Sequence, residues 1–200
     1  MKPSIAIVDY KAGNLTSVIK GLTAAGAEAF VTADASRLAG ADAVIVPGVG
    51  HFGATEAIGA DMRDALLAAA RAGRPILGIC LGLQFLFEGS EEAPGVPGLG
   101  LVDGSCALIR AGDLKVPHVG WNTLDPTRES PLLDGVARNA YAYFTHSYAA
   151  PVTAACVAST TYGSTFAAVV ERGRIFGVQF HPEKSGEDGM RILRNFVALC

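Results

Sequence analysis

The chain opens on a continuous apolar run, Ser4–Val8 (SIAIV), that ends in Asp9-Tyr10. A run of this length without polar alternation is the pattern of a strand buried on both faces. Asn14 then precedes Leu15, Val18, Ile19 and Leu22, apolar positions at helical spacing. Asn14 is therefore placed to cap a helix, and Gly26 to end it. Ala43–Val46 (AVIV) predicts a second buried strand, broken by Pro47-Gly48. Thr55 to Arg71 predicts a helix with Ile58, Met62, Leu66 and Ala69 on one face and Gly73 beyond its end. Pro75–Ile79 (PILGI) predicts a third strand, and Leu81–Phe87 begins another helix. This alternation implies parallel strands joined by right-handed crossovers, with helices covering both faces of the sheet.

The pattern changes in the second half. Leu101–Arg110, Ala140–Ala149, Thr153–Ser159, Thr165–Glu171 and Arg174–Phe180 are strand-like, and Arg172-Gly173 predicts a tight hairpin turn. A last helix carries Ile192, Leu193, Phe196 and Val197. Glu91–Gly100 (EEAPGVPGLG) reads as a surface loop, because it is short and leads straight into a strand. The expected fold is α/β: a mostly parallel central sheet flanked by helices, with additional antiparallel strands in the second half, in one domain spanning 1–200.

Composition supports that picture and narrows the function. The 200 residues are 50% hydrophobic and 18% charged, enough for one sizeable core and unlike a disordered chain. A net charge of -3 gives no electrostatic reason to expect nucleic acid or an anionic membrane as partner. The apolar run after Lys2 is too short for a signal-peptide core, so a cytosolic protein is expected. The four cysteines, Cys80, Cys106, Cys156 and Cys200, are far apart and form no metal-ligand pattern. Cys106, Cys156 and Cys200 sit among apolar or small residues and are expected to be buried, inert thiols. No metal site and no cofactor is expected.

Cys80 is different. It lies in Gly78-Ile79-Cys80-Leu81-Gly82, between a predicted strand and a predicted helix. This is the G-x-nucleophile-x-G form of a nucleophile elbow, in which flanking side chains would clash with the sharp turn. The helix start places free N–H groups beside the sulfur, and the Leu81 N–H faces any oxyanion formed there. A nucleophilic cysteine needs a base, and the base needs an orienting acceptor. Phe180-His181-Pro182-Glu183 supplies both after a strand, since residues two apart in extended chain share a face. Pro47-Gly48-Val49-Gly50 follows the second strand and belongs to the same strand-end crevice. Its glycines let backbone approach a substrate closely. His118 and His146 lie in apolar stretches and read as packed, hydrogen-bonded side chains; His51 follows the glycine loop and reads as lining it.

Together these elements resemble the class I glutamine amidotransferases. Within them they are most similar to the glutaminase subunits that serve imidazole glycerol phosphate synthase. The resemblance is carried by DYKAGNLTSV at 9–18, PGVGHFG at 47–53, GICLGLQFLFEGSEEAPGVPGLGL at 78–101, PHVGWN at 117–122, YFTHSY at 143–148 and GVQFHPEKS at 177–185. It implies a Cys80–His181–Glu183 triad and oxyanion donors from Leu81 and from Val49 or Gly50. It also implies glutamine contacts from Gly50, Gln84, Glu92, Ser147 and Tyr148, with the Glu92 carboxylate suited to the substrate ammonium. The partner it implies is a (β/α)8-barrel cyclase that consumes the ammonia. Asn14, Trp121 and Lys184 are the expected interface residues, because their loops should converge at the rim of the cleft. The alternative is a glutaminase subunit of another synthase, such as aminodeoxychorismate synthase.

Overall fold

The computed structural model describes residues 1–200. Its first half follows the strand–helix alternation. β1 (Ser4–Val8) leads to α1 (Leu15–Ala24), β2 (Glu28–Thr32), β3 (Ala43–Val46), α2 (Ala60–Arg71), β4 (Ile76–Ile79) and α3 (Leu81–Leu86). The Asn14 side chain accepts from the Ser17 N–H at 3.3 Å and caps α1. Gly26 stands just past its end at φ +100°, a position that suits glycine.

The second half contributes β5 (Gly89–Ser90), β6 (Ser105–Leu108), β7 (His118–Thr123), β8 (Asp125–Pro126), β9 (Tyr141–His146), β10 (Tyr148–Ala149), β11 (Cys156–Tyr162), β12 (Ser164–Arg172) and β13 (Ile175–Val178), then α4 (Gly186–Ala198). The main sheet has eight strands in the order β2-β1-β3-β4-β13-β12-β11-β8. Pairing is parallel from β2 to β13 and antiparallel from β13 to β8. β12 and β13 join at a tight turn, with Arg172 opposite Ile175 and Gly173 at φ +62°. β7 and β9 form a separate two-stranded ribbon, and β10, β6 and β5 a small third sheet.

Alternation along the strands builds two apolar layers. Ile5 and Ile7 of β1 pack on the side of Val18 and Leu22 of α1 and Ile192, Leu193 and Phe196 of α4. Ala6 and Val8 pack on the other side with Met62 and Leu66 of α2 and Leu83 of α3. Burial of one such Leu or Ile side chain contributes about 1.5–3 kcal/mol. No helix is long and apolar enough to cross a membrane.

Several expectations are corrected. Ala43–Val46 is the third strand in the chain, not the second, because Glu28–Thr32 forms an edge strand beside β1. Only Thr32 of that strand is buried, and its apolar stretch is just Ala29-Phe30-Val31. The helix expected from Thr55 starts at Ala60. Phe52–Ala57 is a 3-10 turn, and Ile58-Gly59 leaves helical backbone before α2 begins. Ala140–Ala149 is two strands, parted at Ser147, and Leu101–Arg110 contracts to β6. Thr153–Ser159 shifts to Cys156–Tyr162. Cys106 and Cys156 are buried as expected, but Cys200 is exposed at the end of the chain.

Candidate active site

Cys80 sits where β4 turns into α3. Its N–H donates to the Val178 carbonyl at 2.8 Å, which pins the turn to β13. Its backbone lies at φ +54°, ψ -108°, a strained position for a residue with a side chain. The flanking glycines are required by space. A Cβ on Gly78 would stand 2.6 Å from the Gly82 carbonyl oxygen, and a Cβ on Gly82 would overlap the Val46 carbonyl. The sulfur is nearly buried and donates toward the Thr145 carbonyl of β9 at 3.9 Å.

His181 follows β13, and its N–H donates to the Tyr143 carbonyl at 2.9 Å. Spacing predicts that Glu183 reaches it along an extended strand, and the structure corrects this. Instead Pro182–Lys184 forms a 3-10 turn that brings Glu183 Oε1 to 2.9 Å from His181 Nδ1. Both side chains are only 2% exposed. Nδ1 therefore carries a proton toward the carboxylate, and Nε2 is the free ring nitrogen. Nε2 is buried and meets no partner at hydrogen-bonding distance and angle. Burial alone would push the His181 imidazolium down, but the neighbouring Cys80 sulfur and the Glu183 carboxylate outweigh it and hold the ring up at about 9.

Gly50, Leu81, Gln84 and Glu92 line one cleft with Cys80, together with Thr145, His146, Ser147 and Tyr148. Thus every residue expected to contact glutamine lines the same cleft as Cys80. The cleft encloses about 30 Å³. Glu92 Oε2 accepts from the Phe52 N–H at 2.7 Å, which ties its loop to the 3-10 turn after the glycine loop. That loop is also held from below, because the Tyr10 hydroxyl donates to the Pro47 carbonyl at 2.7 Å. Burial pushes the Tyr10 phenol far up, so it stays a donor. Gly50 lies at φ +97°. Val49 is exposed and is not among the residues lining the cleft. His51 does not face the cleft; its Nδ1 accepts from the Gly53 N–H and caps the turn.

One residue that spacing did not single out lies beside the sulfur. Gln179, fully buried between β13 and His181, directs its Nε2 at Cys80 Sγ, 3.8 Å away. Its Oε1 accepts from Gln84 Nε2 at 3.2 Å, and the same Nε2 donates to the Tyr148 carbonyl at 2.8 Å. The Tyr148 carbonyl also lies 2.9 Å from His146 Nδ1, and His146 Nε2 lies 3.3 Å from His118 Nδ1. Burial pushes His118 down to about 4 and His146 down to about 3, so both rings are neutral.

The expected interface residues divide. Trp121 and Tyr143 face each other across the β7–β9 ribbon, with ring centroids 6.0 Å apart. Lys184 Nζ stands 5.9 Å from the Tyr143 ring centroid. Val119, Trp121 and Tyr141 are all more than half exposed on this face. Asn14 is exposed but engaged in capping α1, and no contact joins it to the aromatic cluster. Larger depressions at the ends of β1 and β2 and beside α4 hold neither cysteine nor histidine.

The family model described as "Glutamine amidotransferase class-I" matches residues 6–200. The chain is 48% identical over 196 residues to "Imidazole glycerol phosphate synthase subunit HisH" of Methanothermobacter thermautotrophicus, covering 98% of each chain. It is 50% identical over 206 residues to the protein of the same name from Halobacterium salinarum, covering 98% of this chain and 94% of the relative. Among solved structures, "Structure of PurLQS from Thermotoga maritima" superimposes with a TM-score of 0.80 over the whole chain at 22% identity, which speaks to the fold.

Proposed function

Because the chain belongs to the class-I glutamine amidotransferases, we propose that it is the glutaminase subunit of an imidazole glycerol phosphate synthase and that Cys80 is its nucleophile. The observation that carries the chemistry is the strained elbow cysteine beside a buried His181–Glu183 pair, opening on a cleft lined by Gln84, Glu92, Ser147 and Tyr148. Near-full-length identity of about half to subunits of that name supports the choice of synthase over aminodeoxychorismate synthase.

The reaction follows from the placement. Cys80 first gives its proton to His181 Nε2, and the thiolate then attacks the side-chain amide carbon of glutamine. The value of about 9 for His181 reflects surroundings that favour the imidazolium this step creates. Glu183 accepts from Nδ1–H throughout and fixes the tautomer. The tetrahedral oxyanion is met by the Leu81 N–H and by the N–H of Val49 or Gly50. His181 gives its proton to the departing ammonia, leaving a glutamyl thioester. Water, deprotonated by His181, attacks the thioester carbon and frees glutamate, and the proton returns to the sulfur.

Ammonia is of use only to an acceptor substrate, and at neutral pH solvent protonates it to a form that is not nucleophilic. The acceptor reaction belongs to a (β/α)8 cyclase docked on the exposed face of the β7–β9 ribbon, where Trp121, Tyr143 and Lys184 cluster. Ammonia release from glutamine, with and without that cyclase and its nucleotide ligand, tests the reading. Wild type releases ammonia at a rate raised by the loaded partner, while Cys80→Ala releases none and keeps its fold. Substantial release by a clean Cys80→Ala preparation would remove Cys80 from the mechanism, and no release by the wild-type complex would remove the glutaminase.

A further inference from the structure

We propose that Ser185 is a positioning residue whose hydroxyl fastens the backbone of His181 to strand β9, and so sets where the base stands relative to the cleft wall. This rests on the glutaminase reading above. Ser185 occupies the position just before α4, where a serine side chain usually accepts from the first helix N–H groups. It makes no such bond. The hydroxyl is instead buried and turned back on the triad: it donates to the His181 carbonyl at 2.6 Å and accepts from the Tyr143 N–H at 3.0 Å. Both directions are fixed, since a carbonyl only accepts and a backbone N–H only donates. The His181 N–H meanwhile donates to the Tyr143 carbonyl at 2.9 Å. Facing residues of an antiparallel pair can exchange both such bonds directly. Here one bond is direct, and the return bond passes through the Ser185 hydroxyl. His181 is thereby held at its N–H and at its carbonyl by a single residue of β9. The same strand runs on to Thr145, whose carbonyl faces Cys80 Sγ at 3.9 Å, and to His146 in the cleft. Base and nucleophile are thus both placed against β9, and Ser185 closes the joint on the side of the base. Glu183 orients the ring of His181; Ser185 places the backbone that carries the ring.

Kinetics separates this role from a contribution to stability alone. In Ser185→Ala the Tyr143 N–H loses its acceptor and the His181 carbonyl keeps only the Lys184 N–H, so the backbone of the base can shift. kcat for glutamine falls on the order of tenfold, as it does when a catalytic group is slightly misplaced, while KM stays within about twofold. The far-downfield proton resonance of the Nδ1–H between His181 and Glu183 moves or broadens. Ser185→Thr keeps the hydroxyl and keeps kcat near the wild-type value. Ser185→Cys is close to serine in size but a weak donor and acceptor. It lowers kcat in the same direction and serves as an independent variant should alanine not fold. Activity is measured by ammonia release from the full-length chain with its cyclase, with the folded fraction taken from thermal melts. A variant that lost stability alone would melt lower, yet keep the wild-type kcat per folded molecule and the wild-type resonance. That outcome for Ser185→Ala and Ser185→Cys overturns the proposal. So does a KM that rises as much as kcat falls, or a Ser185→Thr enzyme that melts like wild type and is as slow as Ser185→Ala. A wild-type control that releases no ammonia fails the glutaminase reading and takes this one with it, whereas an active wild type matched by both variants fails this one alone.

Discussion

In the proposed reaction His181 carries two burdens that separate by substitution. Its Nε2 moves the proton, and its Nδ1 holds Glu183 at 2.9 Å. Replacing the ring removes the transfer, so His181→Ala lowers kcat by about 10²–10⁴-fold. Glu183→Gln removes only charge and alignment, so its kcat falls by less, and the alkaline limb of its pH profile moves down from about 9 because a cause that raises His181 is gone. Steady-state kinetics across pH on the two variants decides; a Glu183→Gln enzyme as active as wild type takes Glu183 out of the mechanism. The three buried histidines also act on stability, in opposite senses. His118 and His146 titrate below the unfolded value of about 6.5, so the unfolded chain binds more protons and stability is lost as pH falls from about 6.5 toward 4. His181 titrates above it, so its contribution is full below about 6.5 and is lost as pH rises through about 9. Thermal unfolding should therefore peak near pH 6.5, and His118→Asn should flatten the acid side only. Gln179 was hidden at this scale. A glutamine beside a strand end looks like any polar residue, and its meaning comes from Gln84, far away in the chain.

At the scale of elements, the elbow and the start of α2 make opposite claims on glycine. A methyl group on Gly82 would collide with the Val46 carbonyl. Gly82→Ala should therefore displace α3 from β3, cost several kcal/mol by the order of overpacking penalties and abolish activity. Gly59 stands before α2 with an extended backbone, no side-chain cap and nothing within 4 Å of an added Cβ. Gly59→Ser should instead stabilise by about 0.5–1 kcal/mol, through a new cap and a less flexible unfolded chain, without touching activity. Denaturant melts of both variants check the pair. The strands β1, β3 and β4 were legible because burial on both faces leaves nothing but apolar residues. β5, β8 and β10, two residues each, exist only because distant strands offer partners, and no local pattern marks them. The break at Ile58-Gly59 was masked by apolar spacing that happens to continue through it.

At the scale of the whole molecule, the β7–β9 ribbon has one face in the core, where His118, Phe144 and His146 pack, and one toward solvent. On the solvent face Trp121 and Tyr143 face each other and Lys184 lies beside Tyr143. Trp121 was read from its aromatic type, Lys184 from its place beside Glu183 and Asn14 from loop proximity; the Asn14 side chain caps α1. Trp121→Ala should weaken association with the cyclase by about tenfold or more, as truncation of an aromatic anchor does, and Lys184→Ala by less. Affinity by calorimetry, with glutamine use and cyclase product counted together, reads both; unchanged values for both variants remove the docking face. The ribbon also ends in the cleft, since β9 runs directly into Ser147 and Tyr148. Thr145 and His146 of β9 and the two residues after it thus form one wall of the cleft. Substrate and any partner seated on the ribbon therefore meet the same strand. Linkage makes any coupling between them reciprocal: if the partner tightens glutamine by some factor, glutamine tightens the partner by the same factor. A shared strand of this kind makes substrate and subunit ligands of a single equilibrium.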